Sequence, residues 1–426
     1  IDYWCGIVIA RENRTRVRKT FLIISIITNI GLLFAFKYFN FVSDSIRIIA
    51  AMVSIKFSPP ILKVLLPIGI SFYTFQTLSY TIDVYRKKIQ PEKHFGIYAL
   101  YVSFFPQLVA GPIERGGHLL HQLRKKTTFK YERVTDGLRL ILWGYIKKLV
   151  IADRLALIVD TVYSNVNEFS GITYIIATIF FAFQIYCDFS GYTDIARGCA
   201  RVLGIDLARN FRRPYFAKSL GEFWQRWHIS LSSWFRDYVY IPLGGSRVAP
   251  IIHYRNLLIV FLVSGMWHGA NWTFAIWGLF HGCGLCMLHL MKNVRVFITR
   301  YLPNYTMPCV NIIKIFATFT FVTVGWVLFR AASLHDAWYM LTHFVPQGNI
   351  TLFFESINEI HWFRFKSEFI LLTLLIIVEG LDESFSLNES FLRSSVVVRW
   401  ICYLIGIFMI ILFGVYGQRE FIYFQF

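Results

Sequence analysis

Apolar runs close to membrane-spanning length recur along the chain and are separated by short polar stretches. A helix that crosses a bilayer needs about 20 mostly apolar residues. The runs that approach this are Phe21–Phe36, Leu65–Ile82, Tyr98–Ala110, Gly137–Val159, Ile172–Cys187, Leu257–Phe274, Trp277–Met291, Ile312–Phe329, Phe369–Val378 and Val396–Val415. Several are short, and two are broken: Leu65–Ile82 contains PIGISF, and Tyr98–Ala110 runs into PQLVAGP. Interrupted apolar pieces read as re-entrant or discontinuous helices, which are tolerated only where protein or a water-filled cavity shields the backbone. The pattern therefore predicts an all-α fold: a polytopic membrane helical bundle with broken or re-entrant helices around a central cavity. It is one membrane domain over residues 1–426, with no internal repeat. Asn349–Lys366 reads as a loop and Leu381–Arg393 as a polar hairpin.

One block breaks the rhythm. Residues 197–247 are too polar to span and read as a cytoplasmic or interfacial helical segment within the domain. Inside it, LGEFWQRWH (Leu220 to His228) has an amphipathic pattern with Phe223, Trp224 and Trp227 on one side. Ser219 followed by Glu222 predicts a capping box at its start.

Composition sharpens the class. Charged residues make up 16% of the 426 and hydrophobic residues 56%, whereas a soluble domain carries about 25% charge. Aromatic residues reach 18%, which suits belts at both membrane interfaces. The net charge of +18 is concentrated in Arg11–Lys19, Arg86–Lys88, Arg124–Lys126 and the Arg197–Lys218 region. These runs separate apolar spans, so they read as positive-inside topology on the cytoplasmic face rather than as a nucleic-acid surface. A multi-pass protein of the cell inner (plasma) membrane follows. The basic face can also attract anionic membrane lipids or a phosphorylated donor. Cys283 and Cys286 have redox or metal spacing, but they lie in an apolar helix with no second pair nearby, and they read as ordinary thiols. The chain opens in mid-pattern with IDYWCGIVIA and a basic run. One or two further spans are expected to precede this numbering.

Ionisable groups at membrane depth are costly and tend to survive where they do something. His268 lies in GMWHGAN, flanked by Ser264, Gly265, Gly269 and Ala270, small residues that permit close backbone approach. An imidazole in apolar surroundings favours its neutral form, the form that takes a proton from a hydroxyl. The bland alternative is a histidine bonded between helices. His228, in WQRWHIS, is either a second polar catalytic group or a helix-end residue facing headgroups. His281 lies thirteen positions after His268, more than three turns away if the helix is continuous, so it reads as packing or channel lining unless the chain breaks near Asn271. Asp188 and Asp194 stand at the end of an apolar span, where they could orient a histidine or pair with Arg197 or Arg201. The basic, aromatic-rich block could hold a nucleotide-bearing donor through guanidinium–phosphate and stacking contacts, although positive-inside charge explains it as simply. Candidate contacts to substrate or cofactor are Asp188, Tyr192, Arg226, Trp267, Asn271 and His281. No P-loop, GxGxxG, HExxH or GxSxG motif occurs. No metal is expected, because His268 and His281 lack ligand spacing on one helix face.

Longer motifs carry a resemblance. DFSGYTDIARG, LGIDLARNFRRPYFAKSLGEFWQRWHISLSSWFRDYVYIPLGG and GMWHGANWTFAIWGLFHG resemble the membrane-bound O-acyltransferase family. PIGISFYTFQTLSYTIDVYR, FFPQLVAGPIER and GWVLFRA add to the likeness, which covers roughly Tyr3 to Phe344. The subgroup that O-acetylates alginate and peptidoglycan is the most similar, and the teichoic acid D-alanyl transferases are more distant. The resemblance implies a catalytic histidine at His268 and a second catalytic position at His228. It implies acetyl-CoA as acyl donor, with the acetyl group crossing the membrane toward a polysaccharide hydroxyl through an extracytoplasmic SGNH-type partner. Two other classes fit the same residues less fully: a transporter of lipid-linked sugar, and a scaffold that recruits the true transferase.

Overall fold

The computed structural model describes residues 1–62, 64, 67–291, 306–345, 366–385, 387–417 and 421–422. Among them the ordered elements are all helical. Among the described residues six helices are long and apolar enough to cross a membrane, within the ranges Thr15–Met52, Ile172–Val202, Pro250–His268, Trp272–Leu290, Met307–Arg330 and Val396–Phe413. Their outward residues are large and apolar. Ile27, Ile30, Ile312, Ile313, Phe316, Val397, Phe408 and Leu412 are all exposed. A face this greasy is stable against lipid rather than water. The chain is a polytopic membrane bundle.

The helices that frame the centre are α1 (Ile70–Tyr85), α2 (Tyr131–Tyr145), α3 (Asp153–Ser164) and α4 (Ile172–Val202). After them come α5 (Leu220–Arg226), α6 (Ile229–Phe235), α7 (Pro250–His268), α8 (Trp272–Leu290) and α9 (Met307–Arg330). The run 15–52 precedes them, and it contains a π-helical turn at Phe34–Tyr38. Lys366–Phe385 and Val396–Phe413 follow.

Helix α4 is the spine. The sequence pattern ends its span at Cys187, yet the helix runs 31 residues to Val202. Asp188, Asp194, Arg197 and Arg201 therefore lie within the helix and not beyond its end. It continues because neighbours neutralise its charges. Lys147 Nζ reaches Asp194 Oδ2 at 2.5 Å, and Lys148 Nζ reaches Asp188 Oδ1 at 2.5 Å and Asp153 Oδ1 at 2.9 Å. Arg197 pairs with Asp194 at 3.4 Å, the predicted i,i+3 contact. Arg201 pairs with Asp136 of α2.

Two glycine pairs let α2 and α4 cross antiparallel at backbone contact. A Cβ on Gly144 would lie 2.7 Å from the Gly191 carbonyl oxygen, and one on Gly191 would lie 2.8 Å from the Gly144 oxygen. Gly137 and Gly198 repeat the arrangement at 2.7 and 2.6 Å. This close approach is available only to residues without a side chain. Gly191→Ala is expected to push the helices apart and cost about 1–3 kcal/mol by overpacking. The thermal midpoint of the detergent-purified protein reads this. Gly31→Ala, within the helix Thr15–Leu33 where an added carbon meets nothing within 4 Å, should hold or raise the midpoint.

Several expectations change. Residues 197–247 have a buried face as well as exposed positions such as Leu203 and Ile241. Phe211, Tyr215, Phe223, Trp227, Leu231, Trp234 and Phe235 belong to the main core. The amphipathic run is two short helices, α5 and α6, broken at Trp227–His228, where His228 takes a left-handed conformation with φ 42°. Ser219 Oγ does accept from the Glu222 N–H at 3.2 Å, but the Glu222 carboxylate caps Lys218 N–H at 2.8 Å instead of closing the box. The expected polar hairpin Leu381–Arg393 is mostly helix, with Lys366–Phe385 followed by Leu387–Arg393. The expected loop Asn349–Lys366 lies almost wholly outside the described residues. Cys283 and Cys286 are free thiols in α8.

Candidate active site

The apolar run predicted as Leu257–Phe274 is broken. Helix α7 ends at His268, residues 269–271 are extended or turned, and α8 begins at Trp272. Asn271 caps α8, its Oδ1 accepting from the Thr273 N–H at 3.1 Å, and its Nδ2 donates to the Ala332 carbonyl at 3.1 Å. Both polar ends of Asn271 thus go to structure. The two helices fold back on each other through Gly265 and Gly278. A Cβ on either would lie 2.2 Å from a carbonyl oxygen, of Phe274 and Phe261 respectively. The hairpin removes the assumption of one continuous helix. His268 and His281 flank the same indole, with ring centroids 5.2 and 5.1 Å from Trp277.

His268 faces the protein interior. Its ring is held by edge contacts to Trp267 at 5.0 Å, Trp277 at 5.2 Å and Phe329 at 5.2 Å. It is 6% exposed, so it points into protein and not into acyl chains. Trp326 backs this box, stacked on Trp277 at 5.8 Å and donating its indole N–H to Tyr215 Oη at 3.2 Å.

His228 arrives from the other side. It lies 4.7 Å from Phe189, 6.2 Å from Trp267 and 6.5 Å from Phe72 by ring centroids. Trp267 therefore touches both imidazoles, and the fold brings His228 and His268 to one aromatic chamber. The local backbone explains the placement. Asn210 accepts the Ile229 N–H on its carbonyl at 2.9 Å and the Ser230 N–H on its side chain at 3.2 Å. Ser230 Oγ in turn accepts the Ile113 N–H at 3.0 Å, which ties the GPIER segment to the same turn. A non-glycine residue held left-handed costs about 1–2 kcal/mol and tends to occur at functional sites. Burial pushes the His228 imidazole down to about 3, so it is uncharged near neutral pH.

His281 is fully buried on α8. Both its ring nitrogens, and the indole N–H groups of Trp224 and Trp277 beside it, lack hydrogen-bond partners among the described residues. Trp224 and Trp277 stand 5.1 Å from its ring. Gly325 makes room for it, since a Cβ there would come within 2.8 Å of Nε2.

The remaining candidates have structural partners. Asp188 binds Lys148, and its other oxygen accepts the Ile422 N–H at 2.7 Å. Tyr192 packs on Phe421 at 5.2 Å. Arg226 pairs with Glu222 at 2.6 Å and Glu383 at 2.9 Å. Trp267 donates weakly to the Ser71 carbonyl at 3.4 Å. Among the described residues no three His, Cys, Asp or Glu side chains gather as metal ligands would. An open groove of about 470 Å³ runs along Ile251, Arg255, Leu258, Ile259, Leu262 and Leu279. It lies on the outer face of α7, opposite the buried face that carries Val260, Ser264, Trp267 and His268. This makes it a lipid-side seam apart from the histidines.

Sequence reading missed Lys37, Lys147, Lys148, Trp277, Trp326 and Phe329 as parts of the centre. A signal existed for the lysines, because each is an ammonium embedded in an apolar run. The aromatic residues gave none, since 18% of the chain is aromatic.

Comparison with known proteins agrees with the motifs. The family model for "MBOAT, membrane-bound O-acyltransferase family" matches residues 27–329. "Probable alginate O-acetylase AlgI" of Pseudomonas syringae pv. tomato is 41% identical over 79% of this chain and 62% of its own length. "Peptidoglycan O-acetyltransferase" of Helicobacter pylori is 34% identical over 100% of this chain and 86% of its own. "Teichoic acid D-alanyltransferase" of Bacillus subtilis is 26% identical over 63% of this chain and 69% of its own. The chain thus spans less than two thirds of the length of the first of these.

Proposed function

The chain belongs to the membrane-bound O-acyltransferase family, and from that membership we propose that it is an O-acetyltransferase of envelope polysaccharide. Acetyl-CoA reaches the bundle from the cytoplasm, and the acetyl group leaves toward an extracytoplasmic hydroxyl, by way of an SGNH-type partner in the inner membrane system. The observation that carries this reading is the pair His228 and His268 meeting at Trp267 in the protein interior.

The chemistry needs one base. His268 takes the proton of the attacking hydroxyl, and that oxygen bonds to the thioester carbonyl carbon. A tetrahedral oxyanion forms. When it collapses, the C–S bond breaks and the imidazolium returns its proton to the thiolate, releasing CoA as thiol. A thioester is already activated, so positioning and one proton transfer suffice. His228, uncharged, orients the acceptor across Trp267. His281, with the indoles of Trp224 and Trp277, offers buried polar atoms to the amide-bearing arm of the donor, one ring away from the base.

Arg226 does not act as the phosphate contact in this reading, because two glutamates already occupy it. D-alanyl transfer is the second choice, since the relatives named for it are 26% identical against 41% and 34% for those named for acetylation. The test is complementation of a strain lacking the protein, with ester-linked acetate released from its polysaccharide by mild base. The intact protein should restore the acetate, and His228→Ala should restore at most about a hundredth of it. Polymer that carries D-alanine and no acetate, or full acetate with His228→Ala, contradicts the proposal.

A further inference from the structure

Helix α7 ends without the usual help from its own chain. The residue after His268 is Gly269 in an extended conformation, φ −159°. It is not the left-handed glycine that would return backbone N–H groups to the last turn. The terminal carbonyls of a helix still need donors. Here three consecutive carbonyls are served from one foreign turn. Tyr38 Oη donates to the Met266 oxygen at 2.9 Å, and Lys37 Nζ donates to the Trp267 oxygen at 2.9 Å and the His268 oxygen at 2.8 Å.

That turn is the π-helical segment Phe34–Tyr38, set within the helical run Thr15–Met52. Single π-turns inside α-helices recur at functional sites. The wider turn brings neighbouring residues 37 and 38 closer to one face, so both reach the same helix end. The placement is costly. A lysine embedded in an apolar run carries a desolvation penalty, and among the described residues Lys37 forms no ion pair to offset it. A cation at a helix C-terminus is favourable because the macrodipole leaves partial negative charge there. The residue whose carbonyl it holds most closely is the one whose side chain faces Trp277 and Phe329.

We propose that Lys37 is a positioning residue for His268: its ammonium clamps the end of α7, fixing the imidazole in one orientation inside the aromatic chamber. This rests on the reading of His268 as the base, and it adds a role for a residue 231 positions away. In this role Lys37 needs no contact with substrate. It acts through the backbone of residues 267 and 268. Tyr38 holds the preceding carbonyl and shares the task.

The experiment compares the full chain with Lys37→Met and Lys37→Arg, using His268→Ala as a reference, with the intact protein in proteoliposomes and acetyl-CoA as donor. Methionine keeps the stem and removes the charge. Displacing a base by about 1 Å costs on the order of 10²-fold, so kcat of Lys37→Met should fall between tenfold and a hundredfold while KM for acetyl-CoA stays within twofold. Lys37→Arg keeps a charged donor and should recover most of kcat. A thermal midpoint near that of the unaltered protein in both variants accompanies this result. Wild-type kcat in Lys37→Met overturns the assignment. So does a loss that arginine does not rescue and that tracks a fallen midpoint, which marks a purely structural lysine. If His268→Ala itself remains active, the reading of the base falls, and the clamp falls with it. If His268→Ala is inactive and Lys37→Met is unaffected, only the clamp falls.

Discussion

Replacing His268 with alanine should abolish acetylation while leaving a protein that inserts and purifies. A general base contributes about 10²- to 10⁴-fold, and among the described residues no other imidazole contacts both Trp277 and Phe329. His228 lies across Trp267 and cannot substitute without moving that indole. Alanine also leaves a hole among three aromatic rings, and part of any loss could come from their collapse. His268→Gln answers this, because it fills most of the volume and retains hydrogen bonding but cannot act as a base at neutral pH. Both variants should show ester-linked acetate at background level. The glutamine form should also match the parent in thermal midpoint and in elution from a sizing column. Wild-type acetate with either variant would remove the base from the mechanism.

The second large effect is expected at Asp188. Its carboxylate is 3% exposed and does two jobs, pairing with Lys148 and accepting the Ile422 N–H. Alanine removes both. Lys148 retains Asp153 at 2.9 Å, but a half-buried ammonium that shared two carboxylates is left with one. Breaking a buried pair by deleting one partner costs about 3–5 kcal/mol. The damage should reach the site, since Phe421 rests on Phe189 at 5.7 Å and Phe189 rests on His228 at 4.7 Å. Thermal unfolding and limited proteolysis should show Asp188→Ala as the least stable of the variants described. Asp188→Asn keeps an acceptor for Ile422 and should fall between. Adding Lys148→Met to Asp188→Ala should recover part of the loss, because the orphaned charge is gone; a double-mutant cycle measures that coupling. A fully additive cycle would show that the lysine and aspartate do not stabilise one another.

Much of this architecture was legible in the chain, and the part that was not has identifiable causes. The spans around Phe21–Phe36, Ile312–Phe329 and Val396–Val415 each contain a helix, because a lipid-facing helix must be apolar throughout and length alone marks it. The family motifs identified the histidine segments. The buried face of the polar block 197–247 was not legible, because local pattern cannot tell a charge left in water from one that finds a partner in the core. Arg213 and Arg226 meet Asp382 and Glu383 from a helix more than 150 positions later. Asp188 and Asp194 likewise looked terminal because Lys147 and Lys148, which neutralise them, are distant in sequence. The break after His268 was foreseen only as a condition, and its position at Gly269 follows from the packing of Gly265 against Gly278. Lys37 fell one residue outside a predicted span, and hydropathy has no term for a π-turn.

The contact between Asp188 and Ile422 joins residues 234 positions apart. Ribosomes add roughly 5–20 residues per second, so the aspartate is made well before its partner amide exists. Throughout that interval the Asp188 oxygen lacks the donor that it has in the folded chain. Biogenesis of the chamber is therefore a late event, and a nascent chain halted before residue 421 should be inserted, helical and unsealed at its heart.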